Sequence, residues 1–191
     1  MCWSYNVSIT SFIIGLTVSL TLIKRNKKYD KVLGYLILFY SFIQLWEALM
    51  WKAVQTNNIE DNLKYTKLIY LTLWIQAFAI GIGIYNVTKD WTILAIGAGL
   101  FIYGYCNMPS FQISKPNQYS HLKWGFNDNF YVIVTLVILI GIIRYTDVRY
   151  TWLALLFLMT PYIYLRLNKN VSLSTLWCWF AAAFSFIALA F

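Results

Sequence analysis

The sequence predicts an all-α, polytopic membrane protein, a bundle of seven transmembrane helices, and three observations predict it. Of the 191 residues, 60% are hydrophobic and 12% charged, where a soluble domain carries about 25% charged residues to cover its core. The mean hydropathy is +0.60. The apolar residues also fall into seven runs, 6–23, 31–52, 66–86, 91–107, 129–145, 149–166 and 171–190. Each is close to the ~20 residues that a helix needs to cross ~30 Å of hydrocarbon.

Taken in order, each run ends at a polar connection. The first carries no charge and stops at KRNKK. Its Ser11, Gly15 and Ser19 recur every fourth residue, a small-residue seam that lets a neighbouring backbone approach. The second run contains FIQLWEALMW and is closed by QTNNIEDNLKYTK. The third holds Gln76 in LWIQAF, and VTKD turns it into the fourth, where Ala95 and Gly99 repeat the small-residue pattern. A 20-residue connection, PSFQISKPNQYSHLKWGFND, leads to the fifth run. YTDVRY separates the fifth from the sixth, which Pro161 should kink. RLNKN precedes the seventh. With no linker and no room for a soluble unit, residues 1–191 read as one transmembrane domain.

Charge sets the expected orientation. Lys24, Arg25, Lys27, Lys28 and Lys31 crowd the first connection, while residues 1–23 carry no charge. The positive-inside rule puts that connection in the cytoplasm, the N-terminus outside and, after seven crossings, the C-terminus in the cytoplasm. The 108–128 loop then lies outside. The opening lacks the charged region and cleavage site of a signal peptide, so the first run is expected to stay in the mature chain. The net charge of +8 does not imply a nucleic-acid partner, because no basic stripe alternates with aromatics in a polar segment.

One constellation could carry chemistry. Glu47 lies inside the second run, where a carboxylate costs about 2.5–3.5 kcal/mol on insertion scales. Tyr40, Gln44, Glu47 and Trp51 are spaced 4, 3 and 4 residues apart, which puts them on one helix face. Such a stripe belongs toward the bundle, lining an interior pocket. The bland alternative is a carboxylate that snorkels outward or pairs with a loop lysine. The topology adds Gln76 near mid-membrane, and on the outer side Trp3, His121, Trp124, Trp177 and Trp179. Cys2, Cys178, His121 and Glu47 are weak candidates for a metal, since no two share a standard ligand spacing. Cys2 and Cys178 could be bridged or free, and the free-thiol reading is slightly preferred.

The opening MCWS, RNKKYD in the first connection, QLWEALMW, HLKW in the long loop and LWCW on the last run form a set. As a set they resemble a family of short multi-span membrane proteins encoded mainly by large DNA viruses. The resemblance covers nearly the whole chain. Its motif positions match Cys2, Trp3, Ser4, Gln44, Glu47, His121, Trp124, Trp177, Cys178 and Trp179, and it implies that these positions work together. It implies no activity. Where the family has Gln-Pro on the third helix, this chain has Gln76-Ala77, which puts a break there in doubt.

Several functions are excluded or weakened. Retinal needs a Schiff-base lysine in the last helix, and residues 171–191 contain none. Membrane zinc hydrolases need several histidines, and the chain has one. No cofactor is expected. Three readings remain: transport or conduction of a proton or small cation through Glu47, a receptor or interaction protein whose pocket holds membrane lipid, and a membrane enzyme with a Cys/His/Glu metal site. The first fits the lone intramembrane acid best.

Overall fold

The structure, a computed structural model, describes residues 4–116 and 122–147, together with Ser185, Ala188 and Leu189. Among these residues the protein is helical: α1 (Tyr5–Arg25), α2 (Asp30–Gln55), α3 (Ile59–Thr88), α4 (Thr92–Cys106) and α5 (Tyr131–Tyr145), with a two-stranded ladder between α4 and α5. Three helices, α1 to α3, are long and apolar enough to cross a membrane, which marks a membrane-embedded protein. The expected sixth run lies outside the described residues. Of the seventh, only Ser185, Ala188 and Leu189 are placed, all three helical.

Local chemistry sets the helix ends. Ser4 Oγ accepts from Val7 N at the start of α1, satisfying one of the open N–H groups of the first turn. Asn26 closes α1 in the left-handed region, at φ 56°, with its N–H on the Leu22 carbonyl. At α3, Asn58 caps through Asp61 N, and Glu60 and Asp61 sit in the first turn, where carboxylates suit the positive end of the helix. These caps start α3 seven residues before the expected 66. The helix then runs unbroken through Gln76-Ala77 to Thr88.

Small residues and buried hydroxyls hold the helices together. Between α1 and α2, Gly15 packs on Ser41, where a Cβ would lie 2.0 Å from the hydroxyl oxygen. One turn on, Ser19 Oγ donates to the Gly34 carbonyl at 2.8 Å. Gly83 brings α3 against the backbone of Val32 in α2. The expected Ala95–Gly99 seam is corrected. Both residues are exposed, and nothing lies within 4 Å of a Cβ built on Gly99. The face of α4 that meets α3 runs instead through Ile93, Gly97 and Gly104. Gly97 lies on the Ala77–Phe78 backbone and Gly104 on the Trp74 ring.

α4 and α5 have 15 residues each, about 22 Å at 1.5 Å per residue and short of ~30 Å. The segment between them fills the deficit. Lys115 pairs with Lys123 and Pro116 with Leu122 in an antiparallel ladder, and Gln112 N donates to the Gly125 carbonyl at 2.8 Å. Asn62 on α3 holds Ser114 from both sides, its Nδ2 donating to the carbonyl at 3.0 Å and its Oδ1 accepting from the N–H at 2.8 Å. Thr66 Oγ1 and Gly125 N both meet Ser114 Oγ, at 2.8 and 3.0 Å. Irregular backbone at such depth is tolerated where protein satisfies its polar groups.

At the opposite end, Asp90 Oδ1 accepts from Thr92 N and Oγ1, and Tyr145 donates to Asp90 Oδ2. These bonds hold its carboxyl down at about 2. Arg25 donates to both oxygens of Asp30 at 2.8 Å and to the Leu189 carbonyl at 3.0 Å. The last described residue is thereby fixed to the end of α1 that lies away from the N-terminus.

Candidate functional site

The antiparallel packing of α2 on α3 aligns the polar residues. Val32 against Gly83 and Trp46 Nε1 donating to Thr72 Oγ1 at 3.0 Å fix the register. It puts Tyr40 level with Gln76, and Glu47 level with Tyr70. Tyr40, Gln44, Glu47 and Trp51 all point inward, and Gln44, Glu47 and Gln76 are wholly buried. The seven residue steps from Tyr40 to Glu47 make a column about 10 Å tall at 1.5 Å per residue.

The foot of the column is closed by a residue that sequence reasoning missed. Tyr131, the first residue of α5, donates its hydroxyl to Gln76 Oε1 at 2.6 Å. The Tyr40 hydroxyl lies close enough to that of Tyr131 to interact with it. Gln76 Nε2 has no hydrogen-bond partner, an unmet demand that a buried water commonly fills. Below this level the core is aliphatic: Leu36, Ile37, Ile80, Ile84 and Ile138 are all buried. The polar column therefore ends partway through the described bundle.

The top is closed by the long loop. Trp124 Nε1 donates to Glu47 Oε1 at 3.1 Å, and the indole is itself buried. An aromatic cluster supports it. Trp124 stacks on Phe126 at 5.7 Å between centroids, and Phe126 and Phe130 meet Tyr70 edge-on at 5.4 and 5.1 Å. Phe130 stacks on Trp74 at 4.6 Å. The Tyr70 hydroxyl donates to the Gly104 carbonyl at 3.1 Å, tying the last turn of α4 to the cluster. The described parts of the loop, 107–116 and 122–130, thus form a fitted cap.

Of the expected site residues, the structure brings together Tyr40, Gln44, Glu47, Trp51, Gln76 and Trp124. Trp3, His121, Trp177, Trp179, Cys2 and Cys178 lie outside the described residues. Among the described residues, no three His, Cys, Asp or Glu side chains gather as metal ligands, and of the four metal candidates only Glu47 is placed. Sequence reasoning missed Tyr131 and the Asn62–Thr66–Ser114 cluster. The 62, 66 spacing was a signal, since residues four apart share a helix face.

No protein family, curated protein or solved structure matches the chain.

Proposed function

We propose that this is a seven-helix membrane protein that admits a proton or small cation from the outer side into the pocket at Glu47 and conveys it across the membrane. The observation that carries the reading is a wholly buried carboxylate at the head of a polar column, capped by a neutral indole donor. Intramembrane ionisable groups mark ion and proton paths. Gln44, Tyr40, Tyr131 and Gln76 continue polar character below it, and Trp124 and Trp51 supply aromatic faces suited to a cation.

The two undescribed helices of this proposal, 149–166 and 171–190, are supported by parity. α5 ends beside Asp90, on the face that carries the first connection, and Leu189 is bound to Arg25 on that same face. Two further crossings between them would return the chain to that face. The basic first connection supports placing that face in the cytoplasm, with the N-terminus outside. MCWS, QLWEALMW, HLKW and LWCW, the motifs of the resemblance, support a virus-encoded protein.

The test is flux in liposomes. Proton or cation flux should be present in the wild type and absent in Glu47→Gln; flux that survives the substitution overturns the reading. A second reading, a lipid-binding receptor, is favoured by one observation. An apolar groove of about 270 Å³ opens between α2, α3 and α4, lined by Phe39, Phe42, Trp46, Leu71, Ile75 and Phe101. It expects a co-purifying lipid and no flux.

A further inference from the structure

We propose that the end of the bundle carrying the 24–31 connection is a binding surface for anionic phospholipid headgroups, independent of the Glu47 pocket. The fold gathers this surface from three separate connections. The Lys31 carbonyl lies on Gly83, near the end of α3. Tyr145 at the end of α5 binds Asp90 between α3 and α4. Lys24, Lys27, Lys28, Lys31, Lys89 and Arg144 therefore share one face, and all but Lys31 are exposed.

The acids of this face are engaged within the protein. Asp30 is held by Arg25 and by Lys27 N. Asp90 is held by Thr92 and Tyr145, and Asp147 lies within electrostatic range of Lys28. The exposed cations of this face outnumber these acids, with Lys28 and Arg144 within electrostatic range of Asp147 and Asp90. At the other end of the bundle the described residues set Lys52, Lys64, Lys67, Lys115 and Lys123 against Glu60, Asp61 and Asp128, a smaller excess than the seven cations and three acids of this face.

Aromatic placement identifies lipid rather than an acidic protein or nucleic acid as the partner. Lys28 lies over the Tyr29 ring at 5.0 Å, Lys89 over Tyr85 at 5.5 Å and Arg144 over Tyr145 at 5.3 Å. Trp91, between Lys89 and Thr92, is 68% exposed. Tyr and Trp at the ends of spanning helices sit at headgroup level, so each cation is delivered to the depth of lipid phosphates. Polybasic segments beside a membrane attract anionic lipid in this way. At the other end Lys64 also lies over Tyr65, at 5.8 Å, but beside Glu60 and Asp61; among the described residues the 24–31 face joins three such supports to the larger excess of cations.

The experiment measures binding of phosphatidylserine and phosphatidylcholine to the purified full chain in neutral detergent by native mass spectrometry. The wild type should prefer phosphatidylserine, and the preference should fall as salt is raised. Lys24→Gln, Lys27→Gln and Lys28→Gln together should weaken it about tenfold or more. The same number of changes at Lys64, Lys67 and Lys115 should leave it intact. If the first variant fails to fold, the pair Lys89→Gln and Arg144→Gln gives the same comparison. Equal retention of both lipids by the wild type, or equal loss in the opposite-face variant, overturns the proposal. So does a poly-glutamate peptide that binds this face while phosphatidylserine shows no preference, which would assign the surface to an acidic protein.

Discussion

Trp124 and Glu47, 77 residues apart, are joined inside the bundle by an indole N–H that donates to the carboxyl oxygen at 3.1 Å. The bond fastens the cap to α2. Trp124→Phe keeps an aromatic ring against Phe126 but removes the donor, leaving a buried acceptor with one partner fewer. The expected loss is about 1–3 kcal/mol, read as a lower thermal transition in detergent. Glu47→Gln keeps an oxygen acceptor and removes the charge, so it should melt at the wild-type temperature or above. Unfolding of the Gln variant would instead make Glu47 a structural ion-pair partner.

The cap also depends on a close backbone approach. A Cβ on Gly125 would lie 1.7 Å from the Gln112 carbonyl oxygen, and that oxygen belongs to backbone that cannot rotate away. Gly125→Ala should therefore lift the Gln112–Gly125 pairing and destabilise the protein by about 1–3 kcal/mol, as overpacking does. Limited proteolysis should then cut within the 107–130 loop. Wild-type resistance in the variant would show that the two segments do not lie this close.

On α4, two glycines separate packing from composition. Gly97→Ala places its methyl group 2.5 Å from Phe78 N, whereas Gly99→Ala meets nothing within 4 Å. The first should lower the thermal transition and the second leave it unchanged or raised, since Ala is the better helix former. The reverse order would restore the Ala95–Gly99 seam that the sequence pattern suggests.

These cases show what was legible before the structure and why. The apolar runs locate α1 to α5 within a few residues, because a spanning helix must satisfy its own backbone and stay apolar over its length. The first turns of α3, Ile59–Lys67, escape that logic. They are polar, and only Asn58 with Glu60 and Asp61 marks their start. Glu47, Gln44 and Gln76 were visible as polar residues in apolar runs. Tyr131 was not, because a tyrosine at a helix end reads as an interfacial ring. Its role comes from α5 starting level with Gln76, which depends on how deeply the loop folds inward.

Acid should loosen the turn between α3 and α4. The bonds from Thr92 and Tyr145 lower the Asp90 carboxyl from 3.8 to about 2. A depressed folded value means that these bonds stabilise the protein above the unfolded value, and that the stabilisation is lost as pH falls through the folded one. Exchange protection of the Thr92 N–H should therefore be full at pH 5 and decline from about pH 4 to pH 2. Asp90→Asn should flatten that dependence. A decline of equal size in the variant would assign it to another group.

The foot of the column gives the sharpest test of pairing. Tyr131→Phe removes the hydroxyl that donates to Gln76 Oε1. The amide, whose Nε2 already lacks a partner, then loses this bond within an apolar core. Gln76→Met removes the Gln76 acceptor from the Tyr131 hydroxyl, which still has Tyr40 beside it. Tyr131→Phe should cost about 1–3 kcal/mol, the penalty for a buried polar group left unmet, and Gln76→Met about 0.5–1.5 kcal/mol, the net worth of one hydrogen bond. The double variant removes both partners and should cost less than the sum, because two apolar groups of similar shape replace the pair. Thermal transitions of the four proteins in detergent form the cycle. Strict additivity would mean that Tyr131 and Gln76 do not bond across α3 and α5.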